Sequence, residues 1–517
     1  MTDLTASSAS SEAPAPAARS GLNSKATWKN GWTIWVPIFL IATFQPMTLN
    51  AGGIFFTGSR LVCFLIMVPL LIAWLRGISG RIMMADVLLM AFTLWMILSL
   101  AINQGANTAL NFGISQMMEI MGPYLLARMA IRNIESFHHF TRWLIGLTLF
   151  VLPFATIEAF FDRQPLRMFF DAIPGFGIVT PVNYGTRLGL TRAQVSFEHP
   201  ILYGVIVSMG FSLAWVGLRG AGVSGFGRAW RAAVSFLATF FSLSSCALAS
   251  VMMQILLIGW DTVMQKLRKR WYILVGMMAF FYVVLDILSN RGPIILAISY
   301  LTFSGATAWN RVLIWRYGTD EVWRYPILGQ GLFADWERPD WMVASIDNYW
   351  LLLAMRYGLP GIILILTALV LLLRANWRES WDDNPAYAAC RDAYIFTVVA
   401  VFVAFATVAA FSVAQSLLYF LLGSGVWLIQ AAEAKRAEAA KAEAAEAEPD
   451  DDMGPLEPPD SATVPPLTEI RSPRDGVLYS RFAPRTPPAS QKSAAKARQP
   501  KRIERKPRPG VGPKQRH

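Results

Sequence analysis

The sequence predicts an all-α protein, a polytopic membrane helix bundle of about 12 transmembrane helices with two large outer loops, the second partly helical. Three observations carry this prediction. Of the 517 residues, 54% are apolar and only 15% are charged, against about 25% charged in an ordinary soluble domain. Mean hydropathy is +0.41. The apolar residues fall in runs close to the roughly 20 residues that cross a bilayer.

Taken in order, residues 1–31 are polar and rich in Ser, Ala and Pro. They lack the short apolar core of a secretory signal and read as a disordered cytoplasmic arm. The membrane body is expected at 32–429, with spans at 32–49, 57–75, 83–102, 108–130, 141–160, 200–218, 232–247, 248–264, 271–288, 349–373, 393–410 and 412–429. An even number of spans returns both termini to one side. Loops 76–82, 128–142, 219–231, 265–270 and 374–391 share that side and are rich in Arg and Lys, whereas turns 50–56 and 103–107 opposite carry no charge. The positive-inside rule makes the terminal side cytoplasmic.

The low-complexity tail is expected at 430–517. "AAEAKRAEAAKAEAAEAE" reads as a solvated helix with Glu/Lys pairs. Residues 449–517 are Pro-rich, then basic, and read as disordered. Seventeen basic and 13 acidic residues lie beyond Ile429, so the tail holds +4 of the net +12. A membrane-surface contact is the alternative to a purely solvating role. Cys63, Cys246 and Cys390 are scattered and only four histidines exist, which argues against a disulfide framework and a His/Cys metal site. No cofactor is expected, and no nucleotide-binding fingerprint appears.

The two outer loops, 161–199 and 289–348, break the charge rule with nine arginines and no lysine. Loops this long are translocated despite their charge, and the guanidinium fork matches phosphate oxygens two at a time. Arg187 and Arg192 are either solvated or lipid-facing loop charges, or they hold an anionic group at the outer face. His199, beside Pro200, is a helix cap or an acid/base group. Glu198 is a first-turn carboxylate or a proton acceptor. Asp347 is either the N-cap of the next span or a carboxylate offered to the arginine loop. Arg311 and Arg316 in "WNRVLIWR" lie about 140° apart on a helix, so they do not share a face. Trp309, Trp315, Trp323, Trp336, Trp341 and Trp350 form an interfacial belt or a sugar-stacking platform. In "RGPIILAISYLTFSG" an interfacial segment is expected, and in "YPILGQGLFADW" a Pro/Gly turn region. Arg60, Glu119 and Arg356 lie within spans and need partners or a polar cavity.

Four stretches, "RAQVSFEHPILYG", "FFSLSSCALAS", "WNRVLIWRYGTDEVWRYPILGQG" and "RPDWMVASIDNYWLLLAMRYGLPG", succeed one another in an order and spacing that resemble the O-antigen ligase and Wzy-type polymerase superfamily. The exopolysaccharide polymerase branch is the nearest likeness, and the resemblance covers roughly residues 30–430. It implies a helical bundle in the bacterial inner membrane with a lateral cavity under periplasmic loops. It implies metal-independent, inverting transfer of a saccharide from undecaprenyl pyrophosphate to a hydroxyl. It maps pyrophosphate binding onto Arg192 and Arg311, then Arg187, Arg291 and Arg316. Asp347, His199 and Glu198 are the candidate bases, in that order. Chain-length regulators and export machinery become expected partners besides the lipid bilayer, and nucleic acid does not. Ligases of the superfamily carry a functional histidine where this chain reads Asp347-Asn348, which favours a polymerase. Transfer of finished polymer to a lipid or protein acceptor is the alternative, and non-enzymatic transport of a lipid-linked saccharide is the third.

Overall fold

The computed structural model describes residues 31–51, 54–182, 185–267, 269–289, 305–332 and 335–447. Among them, nine helices are long and apolar enough to cross a membrane. The protein is a multi-pass, all-α membrane protein.

A helix stands at every position where the sequence predicts a span. The nine long ones are α2 (Gly58–Leu75), α3 (Met84–Gln104), α5 (Ile134–Phe161), α7 (Pro200–Ser208, continuing to Gly220), α9 (Ser245–Val263), α10 (Arg270–Leu288), α12 (Tyr349–Arg378), α13 (Pro385–Phe405) and α14 (Ser412–Gly423, running into α15, Val426–Ala447). Three are shorter: α1 (Trp35–Phe44, 10 residues), α4 (Ile114–Ala130, 17) and α8 (Gly225–Phe241, 17). The count of twelve spans therefore stays an expectation. Two further helices, α6 (Pro165–Asp171) and α11 (Gly305–Arg324), belong to the large loops. Of the expected interfacial segment 291–305, all but Gly305 lies outside the described residues, Arg291 included.

Span 32–49 needs correction. Its helix ends at Phe44 because Gln45 precedes Pro46 and is extended, at φ −105° and ψ 149°. The chain then forms β1 (Met47–Ala51), which pairs antiparallel with β2 (Ile54–Thr57) and with β3 (Gly177–Ile178). Thr48 faces Thr57, and Met47 faces Ile178. "MTLNA" alternates for only five residues and "IFFT" does not alternate, so neither registers as a strand beside an apolar run. This small sheet fastens the first large loop to the mouths of α1 and α2.

The core is built from α14 packed on α4, α12 on α3, and α2 on α4. By contrast, none of the apolar residues of α10 is buried. That is costly in water and free of penalty against lipid. At the opposite end from the sheet, Arg81 pairs with Glu433, Lys435 with Asp383, and Arg436 with Glu379. Loops 76–82 and 374–391 therefore share one end with the start of α15, as the charge pattern requires. Arg128, counted among the basic-loop charges, is sealed in an ion pair with Asp86, which also accepts from the Tyr124 hydroxyl.

Helix α12 is broken. Gly358 has φ +74° and ψ 179°, a conformation essentially reserved for glycine. The "YPILGQG" turn at the end of α11 fills the break. Leu359 N–H donates to Pro326 O (2.7 Å), Gln330 N–H to Met355 O (2.9 Å) and Gly331 N–H to Arg356 O (3.1 Å). Trp95 Nε1 donates to Tyr357 O (2.8 Å), and Ser99 Oγ to Leu328 O (2.6 Å). Backbone groups released inside a membrane must find protein partners, and here the turn and α3 provide them.

Candidate functional site

The site is assembled from chain segments that enter helices. Between α6 and α7 the loop is held by two buried charges. Arg167 donates to the carbonyls of Val195 (2.6 Å), Val179 and Phe197. Glu158 Oε2, at the end of α5, accepts from the backbone N–H groups of Gln194 (3.2 Å) and Val195 (2.8 Å). Arg167 is thus a bracket for backbone rather than an anion ligand. A two-residue turn at Leu188 (φ +53°) and Gly189 (φ +76°) is closed by reciprocal bonds between Arg187 and Leu190. This geometry turns Arg187 back toward the bundle.

Arg187 Nη1 donates to Leu243 O (2.9 Å), and Arg192 Nε points at Ser242 O at 3.5 Å. Both carbonyls belong to the Ser-rich turn joining α8 to α9. Arg192 and Arg311 are buried, at 6% and 7% exposure. Arg311 lies close enough to Arg187 to depress its pKa, although burial is the larger cause. His199 feels Arg192 and Arg187, and Asp347 feels Arg311. The fold therefore brings Arg187, Arg192, Arg311, His199 and Asp347 into one neighbourhood. Arg316 is not part of it: the side chain is exposed and lies over the Tyr317 ring. The outer-loop arginines Arg324 and Arg338 pair with Glu321, Glu337 and Asp335, and Arg163 is exposed.

Three helices begin here. His199 Nδ1 caps α7 by accepting from Ile201 N–H (3.0 Å), Ser244 caps α9, and Asn348 Oδ1 caps α12 by accepting from Leu351 N–H (3.0 Å). Their N-termini add partial positive charge to that of the arginines, the arrangement that favours an anion. Asn348, not Asp347, is the cap of α12, so the Asp347 carboxylate is left for other work.

Beside this neighbourhood lies a polar cavity of about 870 Å³, lined by Glu198, His199 and Asp347 among others. Burial pushes the Glu198 carboxyl up to about 7, and the nearby Glu119 adds to the effect. Burial, with Arg192 and Arg187, lowers His199 to about 4, so the ring is neutral at pH 7. Its Nδ1 accepts a backbone hydrogen bond, which leaves the proton on Nε2. Burial raises Asp347, and Arg311 opposes that shift.

Arg60 and Arg356 also line the cavity. Arg60 binds Glu119 Oε1 through Nε (3.0 Å) and Nη2 (2.6 Å), and Gln116 donates to Oε2 (3.1 Å). The two in-span charges thus neutralise each other, and Arg60 of the pair lines the cavity. Of the six tryptophans, only Trp336 is on the cavity wall; Trp350 stacks on Phe402, and Trp309, Trp315, Trp323 and Trp341 are exposed. Sequence reasoning missed Gln116, Gln330, Gln415 and Ser412 on the wall. Two glutamines inside apolar spans were the one signal that pointed to them. Among the described residues, no group of three or more His, Cys, Asp or Glu is arranged to hold a metal ion.

Residues 231–366 match the family model Wzy_C, described as O-Antigen ligase. The chain carries an O-antigen ligase/Wzy-type domain. The match runs from α8 through the break in α12, so it takes in the Ser-rich turn, Arg311, Asp347 and the turn that fills the break. Arg187, Arg192, Glu198 and His199 precede the matched segment and join the site through the fold. Proteins of this domain family act on lipid-linked saccharides in membranes, and the match supports the general enzyme kind of membrane glycosyltransferase-like ligases and polymerases. No curated protein matches the chain.

Proposed function

We propose that the protein polymerises oligosaccharide repeat units carried on undecaprenyl pyrophosphate, at the periplasmic face of a bacterial inner membrane, in exopolysaccharide or O-antigen synthesis. Both termini would then be cytoplasmic. The observation that carries this reading is the convergence of Arg187, Arg192 and Arg311 with Asp347 beside a large polar cavity.

The chemistry rests on the charges. An acceptor hydroxyl attacks the anomeric carbon from the face opposite the pyrophosphate. The new C–O bond forms as the bond to the phosphate oxygen breaks, and the electron pair leaves with the lipid pyrophosphate. Charge develops on that leaving group, and preorganised cations aimed at it lower the barrier most. Arg192 and Arg311 take that role, supported by Arg187 and three helix N-termini; they supply positive charge that a divalent ion supplies elsewhere. Asp347 accepts the hydroxyl proton. Asp347 in place of the ligases' histidine supports a polymerase. The domain's description as an O-antigen ligase keeps transfer of finished polymer to another acceptor as the second reading.

Deleting the gene and recovering lipid-linked saccharides separates the readings. Loss of a polymerase leaves single repeat units on the outer face. Long lipid-linked polymer means a ligase, and single units on the cytoplasmic face mean a transporter. Either of the latter two results refutes polymerisation. Chain-length regulators and export proteins are the expected partners.

A further inference from the structure

Arg356 is not used by the chemistry above. It lies on α12, eight residues beyond the Asn348 cap, which is about 12 Å along a helix. It is half-buried and lines the cavity. Among the described residues no carboxylate lies within ion-pair distance of it; its side chain meets the Tyr357 hydroxyl. Asp347 and Glu198 draw their charged neighbours from elsewhere: Arg311 for one, Glu119, Arg60 and Arg167 for the other. A cation inside a membrane bundle without a carboxylate partner is expensive unless a polar space or a ligand stabilises it.

A second group stands beside it. Gln330 also lines the cavity, and its Oε1 is sealed from solvent with no hydrogen-bond partner among the described residues. The backbone fixes the two together, because Gln330 N–H and Gly331 N–H bond the carbonyls of Met355 and Arg356. Added Cβ atoms on Gly329 and Gly358 would meet main-chain atoms at 2.4 Å and 2.0 Å. The turn is thus built at closest approach, and its result is that Gln330 and Arg356 stand on adjoining backbone in the wall of one cavity. Trp336 and Phe112 add aromatic wall to the same cavity. Fork donor, side-chain amide and aromatic face together are the set that reads an acidic sugar: carboxylate or phosphate on the fork, ring hydroxyl on the amide once its side chain turns to the cavity, and C–H face on the ring.

We infer that Arg356 and Gln330 form a subsite for an acidic substituent on the saccharide, separate from the arginines assigned to pyrophosphate. The inference rests on the glycosyl-transfer reading for its saccharide. The distance along α12 puts the recognised group beyond the sugar that reacts at Asp347. The subsite therefore selects which repeat unit is admitted rather than how the bond is made.

The test uses full-length protein in phosphatidylcholine nanodiscs and binding of defined probes: trigalacturonate, maltotriose and inorganic pyrophosphate. Wild type should bind trigalacturonate well above maltotriose. Arg356→Gln should weaken trigalacturonate roughly ten- to hundredfold, the worth of a charge-assisted hydrogen bond, while R356K recovers part of it and pyrophosphate affinity stays unchanged. Retained pyrophosphate binding also shows that R356Q is folded. The inference is overturned if wild type does not prefer the acidic probe, or if R356Q binds it as wild type does. It is also overturned if phosphatidylglycerol in the nanodisc displaces trigalacturonate, which would make the occupant a lipid headgroup. Separately, pyrophosphate binding that survives R192Q and R311Q together would sink the glycosyl-transfer reading and leave the acidic-probe result standing.

Discussion

Replacing Gly358 by alanine should detach the loop that carries the site. The residue has φ +74° and ψ 179°, where a side chain costs about 1–3 kcal/mol in backbone strain. The new Cβ would stand 2.0 Å from Ile327 O and 2.4 Å from Ile327 C. These are main-chain atoms, so no rotamer relieves the clash; the 326–331 turn must move away. Moving it breaks the bonds from Leu359, Gln330 and Gly331 to Pro326, Met355 and Arg356. Three hydrogen bonds at about 1 kcal/mol each, added to the strain, give a loss of roughly 4–6 kcal/mol. The turn joins α11 to α12, so its displacement also shifts Arg311 relative to Asp347. The assay is thermal unfolding of detergent-purified full-length protein, read alongside polymer production in a deletion strain. G358A should melt several degrees lower and make no polymer. Gly259→Ala is the control, since nothing lies within 4 Å of its added Cβ, and it should behave as wild type. Normal melting and normal polymer from G358A would refute the account of the broken helix.

The site makes three further outcomes testable. Arg192→Gln and Arg311→Gln should each slow transfer by about 100- to 1,000-fold, on the order of 2.7–4 kcal/mol of barrier, measured as polymer formed from lipid-linked repeat units; wild-type rates from both would remove the arginines from the mechanism. Asp347→Asn should reduce transfer by roughly 100- to 10,000-fold while pyrophosphate still binds, and full activity would exclude Asp347 as the base. Glu198 is raised from the ordinary carboxylate range to about 7, so its buried charge weakens the fold as pH rises from about 4.5 through 7, by at most about 3 kcal/mol. Glu198→Gln should therefore melt higher than wild type at pH 8 and match it near pH 4.5; a pH-independent difference would contradict this.

What the sequence displayed, and what it hid, divides along physical lines. Long apolar runs announce themselves, so α2, α3 and α10 were legible to within two residues and α9 to within three, whereas α5 begins at Ile134 rather than 141 and α12 runs to Arg378 rather than 373, their ends there being polar. Strands β1 and β2 were not, because one alternates for only five residues and the other does not alternate. Arg316 could be set apart from Arg311 by helical angle alone. Nothing local set Arg167 apart from Arg192, since both are loop arginines; their difference is that three carbonyls, separated by up to 18 residues, surround one of them. The break at Gly358 was hidden because "RYGLPG" reads as a helix with three tolerated breakers until the turn about 30 residues earlier is seen to fill it.

The capping pattern decides which side chains can take a proton. His199 and Asn348 each spend an acceptor atom on a helix N-terminus. Burial, with Arg192 and Arg187, keeps His199 neutral, and the cap leaves its proton on Nε2, which makes the ring a donor rather than a base. Asp347 and Glu198 remain. Burial raises both; at Asp347 the nearby Arg311 opposes it in part, while at Glu198 burial carries the carboxyl up to about 7. Two carboxyls on one cavity with different charged neighbours are a usual basis for dividing acid and base work. Asp347, placed beside Arg311, is the carboxyl positioned to accept the hydroxyl proton. Glu198, part protonated at neutral pH, is suited to pass a proton between cavity and solvent once transfer is complete. A pH–rate profile whose limb near 7 disappears in E198Q and persists in H199Q would bear this division out; the reverse pattern would give the proton to His199.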